Sequence, residues 1–313
     1  MPLKLLPLNA DRYDEWREVT RTRLIRLRQD SGLRLGQDAV DQADAYFTDL
    51  IPDGTDTPTS RILRIVDDAD GEIGTVWLGL NSTTMFIVDL AFSTEPSDAQ
   101  CDAVFAAVLD TGREHDVRRV SMGLFPQDAA GHRFADGRGF QVSSIQMLLE
   151  PLPGRQIAAH VEVAPMTPER YPRYEIESEA AFAQDLVDAG RYTMEEAVEE
   201  SHRQFLQELP QGLETPGQEL FTATVDGVEV GILWIGMRRR GGHPHAFILD
   251  IEVAADQRRK GYGRELMHAA EREAERLGAG SIGLHVFGFN VGAVSLYEQL
   301  GYRRLEEHLL LEL

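Results

Sequence analysis

Apolar positions recur along this chain with two different periods, and the switches between them mark out its elements. From Ser281 to Phe287, Ile282, Leu284 and Val286 alternate with Gly283 and His285, the period of a half-buried strand. From Gly263 to Leu277, Leu266, Met267, Ala270, Ala274 and Leu277 fall three and four apart on one helix face, and Gly278 supplies the stop. Upstream, Leu220–Val225 and Val228–Gly236 flank Asp226–Gly227, a strong hairpin-turn pair. Arg238–Pro244 reads as a polar loop, and Ala246–Val253 as a strand whose apolar run is broken by Asp250 and Glu252. A short strand at Val161–Ala164 precedes a helical region, Tyr171–Leu209, interrupted near Gly190. At the far end a helix over Val291–Leu300 stops at Gly301, and Leu305–Leu313 reads as the strand that closes the sheet. The pattern predicts an α/β (α+β) domain with a mixed, mostly antiparallel sheet flanked by helices.

The same unit is written twice. Pro7–Tyr13 matches Pro165–Tyr171 at an offset of 158, and the offset carries Leu50–Gly54 onto Glu208–Gly212 and Thr57–Pro58 onto Thr215–Pro216. Val76–Gly79 then matches Leu233–Gly236, Phe86–Asp89 matches Phe247–Asp250, and Gly139–Phe140 matches Gly301–Tyr302, by now at an offset of 162. Trp77 and Trp234 stand at equivalent strand positions and are expected in the core. The proline-rich Pro151–Gly154 marks the boundary, giving tandem domains over 1–150 and 161–313 with a linker over 151–160.

Composition narrows the function classes. A formal net charge of -21 argues against wrapping nucleic acid or lying on an anionic membrane, and weakly favours cationic partners. The single cysteine, Cys101, excludes a disulfide framework and a cysteine-rich metal site. The apolar start meets Asp11, Arg12 and Asp14 too early for a signal peptide, and no run approaches the roughly 18 apolar residues of a membrane span, so a cytoplasmic protein is expected. His243 and His245 flank a proline in a loop without a third ligand and read as surface; no metal is expected. The Glu195, Glu196, Glu199 and Glu200 cluster reads as a wet helix face.

Against this acidic background, Arg258, Arg259 and Lys260 followed by Gly261, Tyr262 and Gly263 form a basic, glycine-opened turn between a strand and a helix. That order makes an anion cradle, because helix-start N–H groups point outward and glycine admits a phosphate closely. The turn resembles the Arg/Gln-x-x-Gly-x-Gly/Ala signature of the GNAT superfamily of N-acetyltransferases, and Asn290, Ala293, Tyr297, Gly301 and Tyr302 resemble that family's second acetyl-CoA motif. The resemblance covers the second half throughout. It implies direct acetyl transfer from acetyl-CoA to a primary amine of a small molecule or peptide. The turn from Arg258 to Gly263, with Arg264, would hold the pyrophosphate, and the backbone of Ile251 and Val253 the pantetheine in a gap between splayed strands. Asn290 would bond pantetheine or a cofactor hydroxyl, and Tyr297 would protonate the departing thiolate, as a phenol of ordinary pKa near 10 can.

For the base that takes the amine proton, Glu252, Asp250 and His285 remain open, with Glu252 the first choice. Asp250 and Glu252 share a strand face unless a bulge separates them. In the first half the signature is lost: Gly261, Tyr262 and Gly263 become Ala99, Gln100 and Cys101, Asn290 becomes Asp128, Tyr297 becomes Ala135 and Glu252 becomes Ala91. A degenerate, non-catalytic first copy is expected, in a monomer or homodimer. Two alternatives stand beside this reading: a thiol-pathway acetyltransferase resembling mycothiol synthase, and a non-catalytic acyl-CoA-binding or scaffold protein.

Overall fold

The computed structural model describes residues 3–81, 83–155, 157–158, 160–190 and 192–313. Within the expected linker, residues 156 and 159 lie outside the described residues. The chain divides into two compact units, Met1–Ile145 with Arg304–Leu313, and Gln146–Arg303. No helix among the described residues is long and apolar enough to cross a membrane.

The first unit runs β1 (Lys4–Pro7), α1 (Tyr13–Ser31), α2 (Gln37–Leu50), β2 (Ser60–Val66), β3 (Glu72–Asn81), β4 (Thr84–Phe92), α3 (Asp98–Glu114), β5 (Arg119–Leu124), α4 (Ala129–Ala135) and the start of β6 (Gln141–Leu149). Alternation along β3 builds its two cores. Trp77 faces α1 and α2, its ring 5.5 Å from Trp16 and 5.1 Å from Phe47, while its neighbours Val76 and Leu78 join Val104 and Val108 of α3 on the other side.

The second unit repeats the plan with β7 (Glu162–Pro165), α5 (Tyr171–Asp188), α6 (Met194–Glu208), β8 (Gln218–Val225), β9 (Val228–Arg240), β10 (His243–Val253), α7 (Tyr262–Arg276), β11 (Ile282–Phe287) and α8 (Val291–Gln299). Trp234 again packs with α5 and α6, against Tyr174, Phe205 and Leu209. The buried tryptophans also repeat their anchors: Trp77 Nε1 donates to Ser60 at 2.7 Å and Trp234 Nε1 to Gln218 at 2.7 Å.

The last strand, β12 (Arg303–Glu312), closes a sheet as expected, but that of the first unit. It pairs antiparallel with β5, from Glu307 opposite Leu124 to Glu312 opposite Arg119. The first unit's strand order is β1-β2-β3-β4-β5-β12 and the second's is β6-β11-β10-β9-β8-β7. Duplicated copies carry interchangeable edges, so exchanging an equivalent strand keeps every ladder type. The unit boundary accordingly falls at Ile145/Gln146, inside β6, ahead of Pro151–Gly154.

Two local readings change. Arg238–Arg240 belong to β9, because the turn shrinks to Gly241–Gly242 with φ of 56° and 81°, the two positive angles a tight hairpin turn requires. His245 lies in β10 and is 8% exposed, with Nδ1 2.9 Å from Ser281 Oγ; burial and then Arg240 push its pKa down to about 4. It is a packed neutral histidine, not a surface one.

Arg155, from the linker, donates to the carboxylate of Glu271 on α7 at 2.7 Å and to the carbonyl of Leu300 at 2.6 Å. Burial nevertheless raises the 1%-exposed Glu271 carboxyl to about 7. A folded pKa above the unfolded value binds a proton that unfolding releases, so stability falls as pH rises from the ordinary glutamate range through 7. Glu271→Gln is therefore expected to raise stability at pH 8 by roughly 2 kcal/mol and to change little below about pH 4.5. Urea unfolding at the two pH values reads this out directly.

Candidate active site

The site grows out of an interruption in strand pairing. β10 and β11 pair in parallel at Ala246–Ile282, Phe247–Gly283 and Ile248–Leu284, and there the ladder ends although both strands continue. A bulge at Leu249 turns β10 against β9 at the same level. The backbone of Asp250–Val253 thus faces a widening gap beside β11, and a cavity of about 400 Å³ opens there between the sheet, α5, α6 and α8.

At the end of β10 lies the basic turn. Gly261 caps α7 at φ 90°, Arg259 also takes a left-handed φ of 66°, and no side chain caps the helix. Arg264 N and Glu265 N bond to Gly261 O, at 3.0 and 3.4 Å, while among the described residues no side chain caps the preceding Tyr262 and Gly263 N–H groups, and the helix dipole adds positive potential. At φ 90° a side chain would be strained, so position 261 needs glycine. A Cβ on Gly263 would meet Leu296 at an ordinary 3.5 Å, so alanine fits there. Arg258 and Lys260 are exposed beside the turn and Arg264 donates to Gln299 at 2.9 Å. Cations and open amides in this arrangement fit a diphosphate.

Tyr297, Asp250, His285 and Asn290 line the cavity together. Tyr297 is 7% exposed, and burial followed by the Asp250 charge pushes its phenol up to about 12, so it stays protonated. Asn290 caps α8, its Oδ1 accepting from Ala293 N at 3.4 Å. The bulge precedes Asp250 and Glu252 rather than separating them, so both keep one face. Their settings still differ. Asp250 accepts from Tyr174 Oη at 3.0 Å and Ser178 Oγ at 3.1 Å, and burial raises its carboxyl. Glu252 is exposed, lies 3.5 Å from Arg258 and is absent from the cavity wall. Asp185, which sequence reasoning passed over, does line the cavity. The available signal was its i, i+4, i+7 helix face with Ser178 and Phe182.

The first unit keeps the scaffold but differs at the helix start and along the equivalent strand. β4 and β5 also stop pairing early, after Ile87–Met122, and the bulge recurs at Val88. The glycine contacts repeat too: a Cβ on Gly231 would meet Glu252 O at 2.3 Å and one on Gly74 would meet Ala91 O at 2.2 Å, which places Ala91 where Glu252 stands. Yet the helix start is sealed by a capping box, Gln100 N donating to Ser97 Oγ at 3.3 Å and Ser97 N to Gln100 Oε1 at 2.8 Å. Arg23, at the position of Ala181, pairs with buried Asp89 and reaches Asp128 at 3.1 Å, bracing β4 to the start of α4. A cavity of about 490 Å³ remains beside this brace.

Comparison with known proteins places this geometry in a family. The model of the acetyltransferase (GNAT) family matches residues 179–302. The Bacillus subtilis (strain 168) protein named uncharacterized N-acetyltransferase YycN is 32% identical over 147 residues, 47% of this chain and 94% of the relative. The uncharacterized N-acetyltransferase YdgE of the same organism is 30% identical over 138 residues, 44% of this chain and 88% of the relative. The crystal structure of a GCN5-related N-acetyltransferase from Sphaerobacter thermophilus matches 98% of this chain and 94% of its own with a TM-score of 0.51 at 14% identity, a likeness of fold. The chain belongs to the acetyltransferase (GNAT) family, and its enzyme class is N-acetyltransferase.

Proposed function

We propose that this enzyme transfers the acetyl group of acetyl-CoA directly to a primary amine of a small molecule or peptide, and that the second unit alone does so. The single observation that carries the reading is the juxtaposition of an uncapped, glycine-opened helix start with a strand gap that leads to Tyr297. Acetyl-CoA supplies the acyl group as a thioester. The amides from residue 258 to 263, with Arg258, Arg259, Lys260 and Arg264, would hold its diphosphate, and the backbone of Ile251 and Val253 would meet its pantetheine arm. Asn290 has its Oδ1 engaged in the cap, which leaves its amide N–H groups for that arm.

Tyr297 donates its proton to the departing sulfur; its raised pKa keeps that proton in place until a basic thiolate forms. Carboxylates at Asp185 and Asp250 give the cavity an acidic wall suited to an ammonium, with Glu208 beside them paired to Arg238. The first unit, with its sealed helix start and its brace, serves as a structural partner. The deciding experiment measures CoA thiol release from acetyl-CoA with butylamine, 1,4-diaminobutane and lysine. Amine-dependent release is expected from the wild-type chain; acetyl-CoA binding without release for any amine would favour a non-catalytic acyl-CoA-binding protein instead.

A further inference from the structure

Three carboxylates line the second unit's cavity, and two are already occupied. Asp250 accepts from Tyr174 and Ser178, and Glu208 is paired with Arg238 and accepts from Gln218 at 3.1 Å. Among the described residues no hydrogen bond or ion pair reaches the third, Asp185, which is half-buried on α5. An unpartnered carboxylate in a cavity shared with Tyr297 has one kind of ligand open to it, a cation or a proton donor delivered through the cavity.

We propose that Asp185 is the general base of this reaction, taking the proton of the acceptor ammonium directly or through one water. The inference rests on the acetyl-transfer reading. In balance, the ammonium N–H bond breaks toward Asp185, the freed nitrogen lone pair forms the C–N bond with the thioester carbonyl carbon, and the C–S bond breaks. Sulfur leaves with the Tyr297 proton, the second proton shed by the acylated nitrogen returns to Tyr297, and the proton held by Asp185 passes to solvent, so one proton is released per turnover.

The surroundings tune Asp185 for this task. Burial, and then the charges of Asp188 on its own helix and of Asp250 and Glu252 on β10, raise its carboxyl to about 6. From α6 the cavity receives Gln204 and Glu208, the latter paired with Arg238, from β11 His285, and from α8 the uncharged Tyr297. A base near this value is ionised at neutral pH yet stronger than an ordinary aspartate.

The test compares wild type with Asp185→Asn, Asp185→Glu and Asp188→Asn, with circular dichroism confirming each fold. For the wild type, kcat/KM should rise with pH around a midpoint near 6, because only the ionised carboxylate accepts a proton. Asp185→Asn should abolish that limb and lower kcat roughly 100-fold or more at unchanged acetyl-CoA affinity. Asp185→Glu should keep the limb, and Asp188→Asn, which removes a neighbouring negative charge, should move it to lower pH at similar maximal rate. Independently of turnover, the carbon-13 carboxyl signal lost in Asp185→Asn should titrate near pH 6 and shift to lower pH when 1,4-diaminobutane binds. An Asp185→Asn enzyme that keeps both limb and rate overturns the inference while leaving acetyl transfer standing. A wild-type chain that releases CoA with no amine overturns both.

Discussion

Tyr297→Phe is expected to lower kcat for CoA release roughly 100-fold or more while leaving acetyl-CoA affinity within a few-fold of wild type. The substitution removes one oxygen from a side chain that is 7% exposed and whose ring sits 6.0 Å from that of Tyr302, so packing is kept. What is lost is a proton that burial and Asp250 hold on the phenol up to a pKa of about 12. The leaving thiolate must then depart unprotonated, a penalty paid in the transition state and not in the ground state. Stopped-flow thiol detection with a calorimetric Kd separates the two quantities. A fall in affinity matching the fall in kcat would recast Tyr297 as a binding residue.

In the first unit the largest effect belongs to Arg23. Arg23→Ala strands Asp89, 4% exposed, and Asp128 without their shared cation. Leaving a buried charge uncompensated costs about 3–5 kcal/mol. Burial already raises the Asp89 carboxyl and Arg23 is the first influence opposing it, so removing Arg23 raises it further. The penalty is therefore largest above that raised value and shrinks in acid, as Asp89 takes up a proton. Acetyl transfer per folded molecule should be unchanged. Urea unfolding followed across pH, beside a turnover assay, tests both halves; a loss below about 1 kcal/mol at neutral pH would show that the brace contributes little.

Much of this was legible in the chain because the evidence for it is local. The hairpin turn at Asp226–Gly227, the amphipathic face of α7 and the glycine-opened turn all sit within a few residues of what they shape. The duplication was legible because both copies kept the positions their common fold needs, Trp77 and Trp234 among them. Features set by distant pairings were not legible. The brace joins residues 66 and 105 apart, and nothing in the string singles out Arg23 among its neighbours Arg21, Arg26 and Arg28.

The destination of β12 was hidden for a related reason. Two equivalent edges offer the same ladder, and an alternation of side chains specifies a face without naming which copy supplies it. The open role of Asp185 was also a tertiary property: its neighbours in sequence are ordinary helix residues, and only the partners claimed by Asp250 and Glu208 leave it alone in the cavity. Glu252 drew attention through its place on the strand, and its exposure depended on packing that the strand pattern does not contain.

Calorimetric titration of the full chain with acetyl-CoA bears most directly on the assignment of one working diphosphate cradle. One site per chain is expected, weakened about tenfold in Gly261→Ala, where a left-handed backbone angle costs an alanine about 1–2 kcal/mol and turns the amides out of line. Two equivalent sites per chain, or a single site indifferent to Gly261, would contradict it.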